Sequence, residues 1–321
     1  MYIPKSQSLT VGVVDDIILM DSRRDRKLPV RIYYPQEQGS FPVIIFSHGA
    51  GGSKEAFSSL SSFWCSCGYI CIHPTHLGND FSPLRETNLQ ELKNYVNDPK
   101  TWSIRPKDIS FLIDSFDELK RQVPPLSERM DETRVGISGH SFGAYVTLLL
   151  AGAIVEIPGE QSSSFADNRA SAFLAMSPQG TGQYGLNKQS WSHIKAPILT
   201  VSGSKDQGWN RQHPSWRLEA FSYMPPGDKY HTLIVGANHF SYGDQKVINR
   251  TFQRLLRPKS NLLNIDSSRD FVMEERIRSY VRDATITFWD AYLKQENSAK
   301  EFLKSDEFQA YSHGEVSVFI K

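Results

Sequence analysis

Ser141 stands at the centre of Gly139-His140-Ser141-Phe142-Gly143, after a short apolar run (Val135 to Ser138) and before a second one that starts at once (Ala144 to Ile154). A serine between two glycines, with strand character before it and helix character after, is the G-x-S-x-G nucleophile elbow in its required setting. The serine must sit at the tip of a very sharp turn. A side chain two residues to either side would collide with the neighbouring strand or helix, and Gly139 and Gly143 remove those side chains. The helix that follows points its unpaired N–H groups and positive dipole end at the chemistry. That chemistry is acyl transfer by nucleophilic attack.

A serine nucleophile needs a base, and the base needs an orienting carboxylate. In this setting the acid follows the serine and the histidine follows the acid. Each is expected in a loop at the carboxyl end of a strand, the edge where open α/β sheets bind ligands. The strand pattern Ile198 to Ser202 runs into Gly203-Ser204-Lys205-Asp206, and the pattern His231 to Val235 runs into Gly236-Ala237-Asn238-His239. Asp206 and His239 are therefore the expected acid and base. Asp228 precedes its strand and lies at the wrong edge, Asp80 falls in an insertion, and His213 and His313 lie in a loop and in the tail. Asp244 follows His239 closely enough to reach it and is the minor competitor for the acid role.

The oxyanion needs two donors. One is the N–H of Phe142, the residue after the nucleophile; the other comes from the glycine-rich loop Ser47-His48-Gly49-Ala50-Gly51-Gly52, most naturally Ala50, with Gly51 beside it. Loss of one such donor typically costs ~3–4 kcal/mol of transition-state stabilisation. His48, just before the glycine turn, is expected to support the loop rather than act as a base, and His140 is given no chemical role. His76 is a weaker candidate for the site lining and more naturally fixes a loop.

The elements needed to position these residues are legible. Val11 to Met20 and Leu28 to Tyr34 read as an antiparallel hairpin. Pro42 to Phe46 is a continuous apolar run, as expected of a strand buried on both faces of a parallel sheet, and Tyr69 to His73 and Ala170 to Met176 read as further buried strands. Helices are expected over 54–67, 89–96, 107–121 and 216–223, and a long one over 271–294 that packs on the sheet. The segment 77–105 is a small cap-like insertion with Phe81, Tyr95 and Trp102; residues 245–321 form a C-terminal loop, the long helix and a tail ending in a short strand at 315–320. With no repeat and no linker, the 321 residues are expected to form one domain.

Composition narrows the partners. Thirty-six Lys and Arg against 35 Asp and Glu leave a formal net charge of +1, so no long-range field favours nucleic acid. No apolar run reaches membrane-spanning length. Met1 to Thr10 carries no apolar signal core, which points to a cytoplasmic protein, or a secreted or periplasmic one if a leader is removed. Cys65, Cys67 and Cys71, odd in number and clustered near His73 and His76, match neither a disulfide framework nor a zinc spacing.

Phe46-Ser-His-Gly-Ala-Gly-Gly and Gly-His-Ser-Phe-Gly resemble the α/β-hydrolase superfamily, and within it the dienelactone-hydrolase-like branch related to platelet-activating-factor acetylhydrolases and cutinase-like polyester hydrolases. Ser177-Pro-Gln-Gly180, Met224-Pro-Pro-Gly-Asp-Lys-Tyr230 and Gly-Ala-Asn-His-Phe240 share the likeness. The resemblance implies an α/β-hydrolase fold, a mostly parallel sheet with helices on both faces. It implies Ser141, Asp206 and His239 as triad, with Ala50 and Phe142 as oxyanion donors. Two departures matter. Dienelactone hydrolases use a cysteine where this chain has Ser141, and the acetylhydrolases place their acid where this chain has Ser177 and Pro178. The expectation is a cofactor-free, metal-free serine esterase, monomer or homodimer, acting on a small-molecule or polymeric ester. Short, medium-chain or aromatic esters come first, lipid acetyl esters and polyesters next; the alternative outside enzymes is a non-catalytic binding protein of the same fold. Gly51, Trp209 and Phe240 are expected to line the substrate site, with Tyr242 and the Phe142 ring as further walls, and packing in the core is the equal alternative for each aromatic.

Overall fold

A computed structural model describes residue 2 and residues 8–76, 89–159, 162–243 and 267–321 of the chain. Its centre is a nine-stranded sheet. Strands β1 (Val11–Asp21) and β2 (Arg26–Pro35) form the expected hairpin. They are followed by β3 (Phe41–Ser47), β4 (Ile70–Pro74), β5 (Met130–His140), β6 (Ala170–Met176), β7 (Ile198–Gly203), β8 (Lys229–Ile234) and β9 (Val316–Ile320). The spatial order is β1-β2-β4-β3-β5-β6-β7-β8-β9, parallel from β4 to β8 and antiparallel at both margins. This is the α/β-hydrolase arrangement.

Alternation along the strands sorts the core into two layers. Val43 and Ile45 of β3 face one layer with Ile137, Phe173 and the helices α3 (Ile104–Asp114) and α5 (Phe142–Leu150), named in chain order after α1 (Ser58–Ser66) and α2 (Leu89–Asn97). Ile44 and Phe46 face the other, with Leu174, Trp64 of α1 and Phe288 and Trp289 of the long C-terminal helix Ser267–Tyr292. Burial on both faces is why these strands read as continuous apolar runs. The register sets Ile45 opposite Ile137 and Ile137 opposite Phe173, so β3, β5, β6, β7 and β8 all end on the same edge.

Several boundaries differ from the expected ones, for local reasons. The helix expected over 107–121 is two: α3, which starts at Ile104, and α4 (Phe116–Gln122). At the break, the Ser115 hydroxyl donates back to the Phe111 carbonyl at 2.8 Å, competing with the backbone ladder. The elbow helix ends at Leu150, not 154, because Gly152 N–H donates to Leu149 O and Ala153 N–H to Leu148 O, a Schellman closure. The loop expected over 158–168 holds one strand of a small ladder, Ser163–Ser164 against Ile154–Val155. A helix at Asn297–Lys304, within the tail, was not expected. Of the insertion at 77–105, residues 77–88, with Asp80 and Phe81, lie outside the described residues, as do Asp244 and 245–266 of the C-terminal loop.

Candidate active site

Strand β5 delivers Ser141 to the carboxyl edge of the sheet, and α5 begins at the next residue. Ser141 sits at φ 56° and ψ −118°, a conformation that non-glycine residues rarely adopt and that surrounding structure must enforce. The flanking glycines do so by allowing contact. A Cβ on Gly143 would lie 1.9 Å from the Ser47 carbonyl oxygen, and one on Gly139 would lie 2.3 Å from the Gly143 carbonyl oxygen.

The three expected side chains meet. His239 Nε2 is 2.9 Å from Ser141 Oγ, and His239 Nδ1 is 3.1 Å from Asp206 Oδ1. His239 lies in a short turn after β8. Ser241 Oγ accepts from Asn238 N–H at 2.9 Å, and Asn238 Oδ1 accepts from Phe240 N–H at 2.9 Å. The His140 ring packs 4.8 Å from that of His239, and its Nε2 lies 2.8 Å from the His239 carbonyl oxygen. The residue in the variable position of the elbow thus pins the loop that carries His239.

Asp206 is fully buried and fully bonded. Its Oδ2 accepts the Ser177 hydroxyl and, at 3.1 Å, the Tyr242 hydroxyl; its Oδ1 faces His239 and, at 3.1 Å, Arg217 Nε. Burial alone would raise its pKa, but the His239 hydrogen bond, the charges of His239 and Arg217 and the Ser177 hydroxyl hold it well below the usual carboxylate range. His239 is pushed below its ordinary value, first by burial and then by the Arg217 charge, against the opposing pull of Asp206.

The glycine-rich loop has a defined shape. Gly52 N–H donates to Gly49 O at 3.2 Å and Gly51 has φ 71°, which together make a type II turn with glycine where positive φ is required. The Gly49 carbonyl is also gripped by His48 Nδ1 at 2.7 Å and by Arg105 Nη2 at 3.4 Å. In a trans peptide the N–H points opposite to the carbonyl, so the Ala50 N–H is aimed away from His48 and Arg105. The His48 tautomer follows from its partners. His76 N–H donates to His48 Nε2 at 3.2 Å, so the proton is on Nδ1. His76 in turn lies 3.0 Å from Ser47 Oγ and 3.0 Å from Asp108 Oδ2, and Asp108 pairs with Arg24 and Arg26 from the β1–β2 turn. Both histidines support the loop; burial foremost keeps them neutral, lowering His76 to about 4 and His48 well below its ordinary value.

A family model described as chlorophyllase matches residues 10–185, more than half of the chain. The chain belongs to the chlorophyllase family. A curated relative, "Cutinase est2" of Thermobifida alba, is 24% identical over 214 residues, covering 65% of this chain and 56% of that protein. The chain therefore spans less than two thirds of that relative's own length.

The chlorophyllase-family match includes the glycine-rich loop and Ser141 and stops before Asp206 and His239, which the sheet topology brings to the same edge. Of the expected lining residues, Phe240 sets its ring edge-on to His239 at 5.0 Å, and Gly51 lies under Leu92 of α2, whose methyls would be 3.6 Å from a Cβ there. Trp209 is partly buried and makes no hydrogen bond or ring contact with Ser141, Asp206 or His239 among the described residues. Two expected walls are corrected. Tyr242 is buried and spends its hydroxyl on Asp206. The Phe142 ring is 1% exposed, stacked on Tyr145 at 5.6 Å and edge-on to Tyr184 at 5.2 Å, so it packs in the core and walls no open site. Arg105, Arg217 and Ser177 were not expected as supports. Ser177 had a signal, since it follows the carboxyl end of β6, the edge at which Asp206 and His239 were expected. The cysteines are buried and free, and burial raises their thiol pKa values, that of Cys67 to about 11. Among the described residues no helix is long and apolar enough to cross a membrane.

Proposed function

We propose that this protein is a serine carboxylic-ester hydrolase that works through an acyl-enzyme. The observation that carries the proposal is the continuous hydrogen-bond line Ser141 Oγ, His239, Asp206, at 2.9 and 3.1 Å, on a buried carboxylate. In the proposed reaction His239 Nε2 takes the hydroxyl proton as Ser141 Oγ attacks the ester carbonyl carbon. The carbonyl oxygen becomes an oxyanion that the N–H groups of Phe142 and Ala50 receive. Collapse breaks the C–O bond to the alcohol, which leaves with the proton from His239. Water, losing a proton to Nε2, then attacks the acyl-Ser141 carbonyl; collapse breaks the bond to Ser141 Oγ, which takes the proton back from Nε2 as the acid leaves. Asp206 keeps Nδ1 protonated and offsets the imidazolium charge.

For the substrate, Phe240 beside His239 and the absence of side chains at Gly49, Gly51 and Gly52 favour an ester with an apolar or aromatic acyl group. The family name adds chlorophyll, and the Thermobifida alba relative adds cutin, to the esters worth trying. Hydrolysis of p-nitrophenyl acetate against butyrate and longer chains, with Ser141→Ala as control, tests the proposal. A wild-type protein that turns over no activated ester and leaves Ser141 unlabelled by a fluorophosphonate would instead be a binding protein on this fold.

A further inference from the structure

We propose that Arg217 is a positioning residue for the reaction: it locks the acid of the triad in place and keeps His239 in the neutral, proton-accepting form. The proposal rests on the Ser141–His239–Asp206 reading above.

Arg217 lies in a 3₁₀ turn, Pro214–Leu218, in the connection between β7 and β8, and its side chain is 3% exposed. Four of its five N–H groups donate to acceptors around Asp206, and the fifth lies beside the His239 ring. Nε donates to Asp206 Oδ1 at 3.1 Å. Nη1 donates to the carbonyls of Ser177 and Pro178, both at 3.1 Å, and Nη2 to that of Gln207 at 3.1 Å. The guanidinium thus ties the loop after β6 to the loop after β7, with Asp206 between them. A lysine ammonium, with three donors and no planar fork, cannot fill this set.

The remaining Nη2 hydrogen lies towards His239 Nδ1, 3.1 Å away. Nδ1 carries one proton at most. As a donor to Asp206 it leaves the Nε2 lone pair for the Ser141 hydroxyl, the form a base needs. The Nδ1 proton lies between the Asp206 oxygen and the Arg217 cation in both protonation states, so the imidazolium differs by its added charge. With Asp206 negative and Arg217 positive, the pair is already balanced, and a proton on His239 adds a net buried charge. Without Arg217 that proton would neutralise Asp206. The other groups facing His239 do not replace this effect. His140, on the end of β5, is buried and held at about 3, and Ser141 and Tyr242 are neutral hydroxyls. Arg217 is therefore the cation that sets how far the pH can fall before the base is lost.

The test is the pH profile of kcat/KM for p-nitrophenyl acetate, alongside the rate of fluorophosphonate labelling of Ser141, for wild type, Arg217→Gln and Arg217→Lys. Removing the charge in Arg217→Gln should move the acid limb of both profiles upward by about one pH unit. Arg217→Lys keeps a cation and loses the fork, so the limb should stay while kcat falls by roughly tenfold. An Arg217→Gln limb that coincides with wild type in the folded protein overturns the proposal. So does an Arg217→Lys limb that moves up by the same unit, which keeps the proposal testable if the glutamine variant fails to fold. A wild type that never labels overturns the triad reading itself and is distinguished by that arm alone.

Discussion

Arg105 Nη1 donates to the carbonyl oxygen of His48 at 2.6 Å, and the same guanidinium lies 4.7 Å above the Phe142 ring. One buried cation therefore touches both sides of the proposed oxyanion hole, the glycine turn and the residue after the nucleophile. Its second nitrogen reaches the Gly49 carbonyl, which shares a peptide plane with the Ala50 N–H. Replacing Arg105 with methionine keeps most of the apolar contact and removes the grip. We expect kcat to fall by about 10–100-fold, less than the roughly 10²–10³-fold cost of deleting an oxyanion donor outright, while KM changes little. Steady-state kinetics with p-nitrophenyl acetate measure it; an unchanged kcat would mean the turn holds its aim without Arg105.

Asp206→Asn should retain the fold and lose about 10³–10⁴-fold in kcat, because an amide cannot be relied on to select the Nδ1–H tautomer or offset the imidazolium. Tyr242→Phe removes one of the two hydroxyls on Oδ2. It should cost about 1 kcal/mol in urea unfolding, with a few-fold loss in rate, far less than Asp206→Asn. Equal losses from the two variants would show that Tyr242 meets substrate.

Gly143→Ala should cost about 3 kcal/mol or more, or prevent folding, because its Cβ would fall inside the Ser47 carbonyl, a backbone atom with nowhere to move. Soluble yield and urea unfolding read this out. A stable, active Gly143→Ala protein would refute the packing at the elbow.

Stability should fall with acid before any carboxylate titrates. His73 and His231 are buried neutral, each pushed down to about 3, foremost by burial. His231 is held by Thr200 Oγ1 at 2.7 Å and Ser202 Oγ at 3.0 Å. A histidine with a depressed folded pKa is protonated first in the unfolded chain. Its contribution is full above the unfolded value of about 6.5 and is lost progressively as pH falls towards the folded value, at up to about 1.4 kcal/mol per pH unit for each such group. Urea unfolding at pH 7, 6 and 5 should show midpoints dropping in that window, and His231→Gln should flatten the drop. A midpoint constant from pH 7 to 5 would contradict the neutral burial of these rings.

What the sequence made legible was local. Ser141, Asp206 and His239 each follow a strand end by a few residues, so one apolar run and one turn sufficed to place each at the same edge. Ala170 to Met176 was bounded to the residue because all of it but Ser171 is buried and polar residues flank both ends. Arg217 was illegible for the opposite reason. Its partners, Ser177, Pro178, Gln207, Asp206 and His239, come from three separate loops, and no spacing within its own turn signals them. Tyr242 and Phe142 were read as pocket walls because an aromatic beside a catalytic residue looks the same in sequence whether its ring faces substrate or core. The break at Ser115 depended on one hydroxyl turning back on its own helix.

The hairpin at the start of the sheet lies at the margin farthest from β9, yet its turn is wired to the reaction centre. Arg24 and Arg26 neutralise Asp108, Asp108 fixes His76, and His76 holds Ser47 and, through its backbone, His48. Trimming the chain to begin at β3 would remove two cations from the buried Asp108 carboxylate that holds the His76 ring. The minimal working unit therefore extends to the edge strands. An edge that looks like scaffolding is, electrostatically, joined to the glycine-rich loop.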